Sequence, residues 1–188
     1  MIIGLTGKNA AGKGETAKHL QKRGFHCFSL SDELREEATR RGIGHSRDEL
    51  ITLGTLVREQ HGTGYLASKV NEKIALLKKK DVQKFVVDSI RNVGEVKELE
   101  KNDDFDLFAI EADAKIRFTR MIKRGRAGDA ATFEKFLEQE QKENSISGAG
   151  QQMELCIEMA AHTINNNGTL EDLYLKVDNI LKEELWLA

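Results

Sequence analysis

The chain has 188 residues, 39% of them apolar and 32% charged, with a formal net charge of −2. That length allows one domain with a sizeable core, and the composition is ordinary for a soluble globular fold. The charge balance argues against general nucleic-acid binding and confines any anion site to a local patch of Lys and Arg. The two cysteines, Cys27 and Cys156, read as small core residues and not as a metal pair or disulfide framework. Proline is absent, so no Pro-rich linker divides the chain. No apolar run reaches membrane-spanning length, and the N-terminus reads into a strand without a charged leader. The expectation is a cytoplasmic location with no membrane partner.

Ile2-Ile3-Gly4-Leu5 is an apolar run predicted as a buried strand. It leads into Gly7-Lys8-Asn9-Ala10-Ala11-Gly12-Lys13, the G-x-x-x-x-G-K spacing of a phosphate-binding loop. Its glycines let successive N–H groups turn toward one anion, and the helix that follows adds its positive N-terminal end. Lys13 supplies a mobile point charge for the outer phosphates of a nucleoside triphosphate. Gly7 through Thr16, including Gly14 and Glu15, is therefore the ATP-binding segment. Where Ser or Thr commonly follows the Lys and coordinates Mg²⁺, this chain has Gly14. Water can fill that place, because Mg²⁺ keeps its waters readily.

The first helix closes near Arg23-Gly24. Phe25 to Leu30 is a second strand, and Ser31 or Asp32 is expected to cap the helix running to Gly42. Ser46-Arg47-Asp48-Glu49 is a capping box that opens another helix. Tyr65 to Lys79 is amphipathic, with Leu66, Val70, Ile74 and Leu77 at helical spacing. Lys84 to Asp88 is the third strand, Asn92 to Asn102 a short helix, Phe105 to Glu111 the fourth strand, and Ala114 to Lys123 a helix. A glycine-rich basic turn, Gly125 to Asp129, precedes a charged helix from Thr132 to about Asn144, whose Glu138, Glu140, Lys142 and Glu143 read as solvated. Ser145 to Gly150 reads as loop and Gln151 to Met159 as helix. His162 to Asn165 is a fifth strand, and Thr169 caps the last helix.

Strands alternating with helices imply a parallel sheet covered on both faces, with ligands at the carboxyl ends of its strands. Asp88 ends an apolar strand, where a phosphate-loop enzyme places its metal-side carboxylate, directly or through water. Arg91 follows three residues later. Arg117, Arg120, Lys123, Arg124 and Arg126 form a basic cluster beside the glycine-rich turn, readable as a solvated face or as a hinged lid.

These motifs resemble the adenylate-kinase-like branch of P-loop kinases over nearly the whole chain. Those enzymes also carry Gly after the loop Lys. They place Gly-Asp-x-Leu-Arg after the second strand, matched here by Ser31-Asp32-Glu33-Leu34-Arg35 except for Ser31. Gly12-Lys13-Gly14-Glu15, Asp88-Ser89-Ile90-Arg91, Lys123-Arg124-Gly125-Arg126 and Asn166-Asn167-Gly168-Thr169-Leu170-Glu171 resemble a group of small nucleotide kinases typical of archaea. The P-loop part attached to some deoxycytidylate deaminases is similar, although this chain has no deaminase zinc motif. Residues 160–169 resemble the segment before the last helix in dephospho-CoA kinases.

The resemblance implies an α/β, three-layer P-loop NTPase fold, with a five-stranded parallel sheet and a helical lid. It implies a single kinase domain over 1–188, with acceptor-binding helices at about 31–80 and a lid at about 117–150. It also implies an ATP- and Mg²⁺-dependent phosphotransferase acting on a nucleoside monophosphate. In that reading Lys13, Asp88, Arg120 and Arg124 are catalytic. Asp32, Arg35 and Arg91 bind the acceptor, and Asn166 and Gly168 lie by the ATP. Partners would be small-molecule nucleotides, with the chain a monomer or homodimer. Two alternatives stand: a dephospho-CoA kinase using Asp32 as base, and a non-catalytic nucleotide sensor.

Overall fold

Five short strands wind with their crossover helices into one parallel sheet of order β2-β3-β1-β4-β5. The computed structural model describes residues 1–126, 128–143 and 148–187. In chain order the elements are β1 (Ile2–Thr6), α1 (Lys13–Lys22), β2 (His26–Ser29), α2 (Leu30–Arg40), α3 (Arg47–His61), α4 (Tyr65–Lys78) and β3 (Phe85–Asp88). They continue with α5 (Val93–Leu99), β4 (Phe105–Glu111), α6 (Ala114–Arg124), α7 (Phe133–Glu143), α8 (Met153–Glu158), β5 (His162–Asn165) and α9 (Leu170–Leu187).

The alternation of side chains along the strands builds two cores. Ile2, Phe85, Val87 and Leu107 face a layer supplied by Leu30, Leu53, Leu66, Val70, Ile74 and Val96 from α2 to α5. Ile3, Leu5, Val86, Phe108 and Ile164 face Ala17 and Leu20 of α1 and Leu173, Val177 and Leu181 of α9. Cys156 lies in the first core and Cys27 against the second, both as free thiols. The central strands β1 and β3 are buried on both faces and read as nearly continuous apolar runs, while the edge strands β2 and β5 keep polar, partly exposed residues. No helix among the described residues is long and apolar enough to cross a membrane.

Several ends differ from expectation by a residue or more, β2 spanning His26–Ser29 and α5 only Val93–Leu99, and two differences bear on the site. Helix α2 starts at Leu30, with Ser29 and not Ser31 or Asp32 as its N-cap residue, because Leu30 is itself buried under the sheet. Helix α8 starts at Met153 and not at Gln151. The Gln152 N–H instead donates to Arg91 O at 2.7 Å, tying this segment to the loop after β3. The expected loop at 145–150 lies partly outside the described residues. The capping boxes of α3 and α5 both form, through Ser46–Glu49 and Asn92–Glu95.

Helices α6 and α7 carry a small core of their own, Met121, Ala130 and Phe136, flanked by Phe118 and Phe133. Phe136 is 1% exposed and is its largest fully buried side chain. Phe136→Ala should therefore cost about 3–5 kcal/mol, read by hydrogen exchange as loss of protection in α6 and α7 before the sheet. Unchanged protection there would show that this pair does not depend on its own core.

Candidate active site

The loop between β1 and α1 is forced into shape by close neighbours. Gly7 has φ +131°, and a Cβ there would lie 2.1 Å from Ile110 O. Gly12 has φ +121°, and its Cβ would meet Asn166 Nδ2 at 2.3 Å. Glycine is required at both positions by backbone angle and by space. The Asn166 amide donates to Ala11 O at 2.7 Å, and its own N–H donates to Glu111 O. Asn166 thus braces the loop from β5 with a buried side chain.

Lys13 curls back over the loop and donates to Gly7 O at 2.6 Å and to Lys8 O at 3.1 Å. Burial lowers its ammonium to about 8, with Asp88 opposing the shift and Arg91, Arg117 and Arg124 adding to it. Thr16 is buried, and its hydroxyl donates to Gly12 O within α1. A Cβ on Gly14 would meet nothing within 4 Å, so open space lies where a metal-coordinating hydroxyl commonly stands.

From this loop a cleft of about 300 Å³ runs toward α2 and α3. Asp88 ends β3 beside Lys13, and its Oδ1 accepts from the N–H of Ser89, which is held at φ +68°. Arg91 lines the cleft and donates to Gln151 Oε1 at 3.3 Å. Arg35 lines it from α2 and pairs with Asp32 at 2.7 Å. Asp32 is itself 68% exposed and is not part of the wall. Arg58 and Glu95 form a buried ion pair at 2.7 Å on the same wall.

The α6 arginines divide into different environments. Arg117 is buried, contrary to a solvated face. It donates to Ala112 O at 2.8 Å and Asn9 O at 3.3 Å, chelates Glu140, and stacks on Phe136 at 5.2 Å. Glu140 is therefore no solvated residue: its side chain is 15% exposed and joins α7 to α6. Arg124 pairs with Asp129 at 2.8 Å and reaches Asn9 Oδ1 at 3.3 Å, which places it over the phosphate loop. Arg120 donates to Gly168 O at 3.3 Å, and burial lowers its pKa. Arg47 of α3 approaches Asp129 at 3.7 Å, linking α3 to the turn after α6.

The structure thus brings Lys13, Arg35, Arg91 and Arg124 around one cleft, with Asp88 close enough to Lys13 to act on its charge and Arg120 bonded to Gly168. It leaves Asp32 outside the wall, sets Glu15 against Lys18, and gives Asn166 a bracing position. Sequence reading missed Arg47, Arg58, Glu95, Asp129 and Gln151. Of these, only Glu95 had a legible signal, the third position of an Asn-x-x-Glu helix start.

Cradle, sheet order and cleft define a P-loop, kinase-like α/β domain. A family described as an AAA domain matches residues 3–144. The chain belongs to the UPF0200 family: a UPF0200 protein of Pyrococcus horikoshii is 34% identical over 98% of each chain. Another, from Sulfurisphaera tokodaii, is 32% identical over 98% of this chain and 97% of its own. Among solved structures, TT1252 from Thermus thermophilus matches with a TM-score of 0.61 at 21% identity, covering 97% of both chains. Shikimate kinase from Acinetobacter baumannii, solved with shikimate, matches with a TM-score of 0.55 at 17% identity, over 97% of this chain and 93% of that one. At these identities the likeness is one of fold.

Two outcomes follow from the cradle. Asn166→Ala strips Ala11 O of its buried donor and should destabilise the protein by about 1–3 kcal/mol in urea denaturation, whereas a change within 0.3 kcal/mol, about the noise of such comparisons, would deny the brace. A polyphosphate must find Lys13 protonated, and burial sets its free pKa at about 8. The ratio of tripolyphosphate affinity in the wild type to that in Lys13→Met, which cancels the ligand's own titration, should therefore hold level below pH 8 and fall about tenfold per pH unit above it. Equal pH slopes in both proteins would remove Lys13 from the anion site.

Proposed function

We propose that this protein transfers the γ-phosphoryl group of ATP to a nucleoside monophosphate. One observation carries the reading. Seven cationic side chains line the cleft: Lys13, Arg35, Arg47, Arg58, Arg91, Arg124 and Arg126. They face two carboxylates, Glu95 and Asp129, and both of those are already ion-paired. A cavity so furnished suits an occupant with phosphate at both ends.

In this reading the loop amides and Lys13 hold the donor phosphates, and α1 directs its positive end at them. Asp88 suits Mg²⁺ through water, and the space beside Gly14 admits the water that replaces a hydroxyl ligand; a bound ion would neutralise charge developing on the donor phosphates. Arg35 and Arg91 clamp the acceptor phosphate, which must be neutralised before an anionic donor approaches. Arg124 exchanges Asp129 for the transferring group as the segment at about 117–150 closes, and Arg120 closes from the same helix. The helices at about 31–80 form the acceptor side.

A hydroxyl acceptor, such as the shikimate bound in the Acinetobacter baumannii kinase or the ribose of dephospho-CoA, needs a general base. Asp32 lies outside the cleft wall and is paired with Arg35. This favours the monophosphate.

The test is transfer from γ-labelled ATP to AMP, CMP, UMP, GMP and dephospho-CoA side by side. At least one monophosphate should be labelled. Arg35→Ala should raise its KM by roughly 10- to 150-fold, the equivalent of 1.5–3 kcal/mol for a charge-assisted contact, with little change in ATP binding. Labelling of dephospho-CoA alone would overturn the acceptor assignment. ATP binding with no transfer to any acceptor would make the protein a nucleotide sensor.

A further inference from the structure

Glu95 is fully buried, and its carboxylate is saturated. Oε1 accepts from Arg58 Nε at 3.1 Å and Nη2 at 2.7 Å. Oε2 accepts from the N–H groups of Arg91 at 2.8 Å and Asn92 at 3.1 Å. One carboxylate therefore fixes both the Arg58 guanidinium and the backbone of the phosphate-clamp residue Arg91, and it has nothing left for a ligand.

The Arg58 guanidinium is not saturated. Its Nε edge is taken by Glu95, but its end carries the N–H groups of Nη1 and the outer N–H of Nη2. Among the described residues Nη1 has one partner, Ala149 O, at the long distance of 3.5 Å. Space is kept beside it. A Cβ on Gly54 would come within 3.3 Å of both Nη1 and Leu34 Cδ2. Leu34, Leu50, Ile51 and Leu66 line the same cleft as Arg58. Arg58 thus offers a pair of donors, held rigidly by a buried counter-charge, to a cleft whose wall also carries apolar side chains.

Resting on the monophosphate reading above, we propose that Arg58 selects the acceptor by its base. The base it selects presents two neighbouring hydrogen-bond acceptors with no donor between them. Cytosine offers O2 and N3, and guanine offers O6 and N7; a guanidinium end pairs bidentately with such an edge. Adenine sets its amino donor beside N1 and N7, and uracil sets N3–H between its carbonyls. Either base leaves a guanidinium N–H facing a donor or nothing, in a site where unpaired polar groups are penalised.

The test measures kcat/KM for CMP, GMP, AMP and UMP at saturating ATP. The better of CMP and GMP should exceed AMP and UMP by on the order of tenfold or more, and which of the two leads distinguishes the pyrimidine from the purine fit. The preference should collapse toward unity in the double variant Arg58→Gln/Glu95→Gln, which replaces the buried charges with a neutral pair and strands neither, with folding checked by circular dichroism. Gly54→Ala, which crowds Nη1, should raise KM for the preferred base more than for AMP. AMP or UMP equal to the best acceptor in the wild type overturns this inference and leaves monophosphate transfer standing. A preference that survives in the folded double variant overturns the role of Arg58. Failure to label any monophosphate overturns the parent reading and this one together.

Discussion

The structure depends on keeping many positive charges together in one cleft before any phosphate arrives. An unpaired buried charge costs several kcal/mol, so the more buried of these cations rest on partners. Lys13 rests on two carbonyls of its own loop. Arg35 rests on Asp32, Arg58 on Glu95, Arg124 on Asp129, and Arg117 on Glu140. The partners differ in depth, and the difference sorts the residues. Glu95 and Glu140 hold their arginines inside the protein, where exchange would strand a charge. Asp32 stands in solvent and holds Arg35 weakly, since exposed pairs contribute about 0–1 kcal/mol. Arg35 is thus free to move to a ligand, while Arg58 and Arg117 are held in place.

The sheet order explains why the site lies where it does. Strand β1 sits at the centre, with β3 on one side and β4 on the other. The chain leaves β1 toward one face through α1 and reaches its other face through α2 to α5, so a crevice opens at the carboxyl end of β1. The glycines at 7 and 12 let the loop fill that crevice against Ile110 and Asn166 without a side chain in the way. Asn9, at the loop's tip, meets both Arg117 and Arg124. Helix α6 therefore reports directly on the phosphate loop, a coupling carried by two hydrogen bonds and not by proximity alone.

Much of this was legible in the sequence. The inner strands announce themselves because a sheet covered on both faces needs apolar runs, and β4 and β5 have the expected bounds. The loop glycines and Lys13 are a local pattern, which local reading recovers. What was hidden is what depends on a distant partner. Glu140 sits among charged neighbours on its helix, and nothing local shows that Arg117 lies beneath it, stacked on Phe136. Arg58 and Glu95 are 37 positions apart and belong to two helices that each look merely amphipathic. Gln151 reads as helical until the 2.7 Å bond from Gln152 to Arg91 O draws it into the cleft wall.

The central claim is that donor and acceptor phosphates meet in one cleft, between the Lys13 cradle and the Arg35–Arg91 clamp. The most direct measurement is calorimetric binding of a dinucleoside polyphosphate long enough to occupy both ends. Linking the two halves should give one molecule bound per chain, at least a hundredfold tighter than ATP. That gain should vanish in Arg35→Ala, leaving ATP-like affinity. Binding no tighter than ATP, and indifferent to Arg35→Ala, would contradict the account.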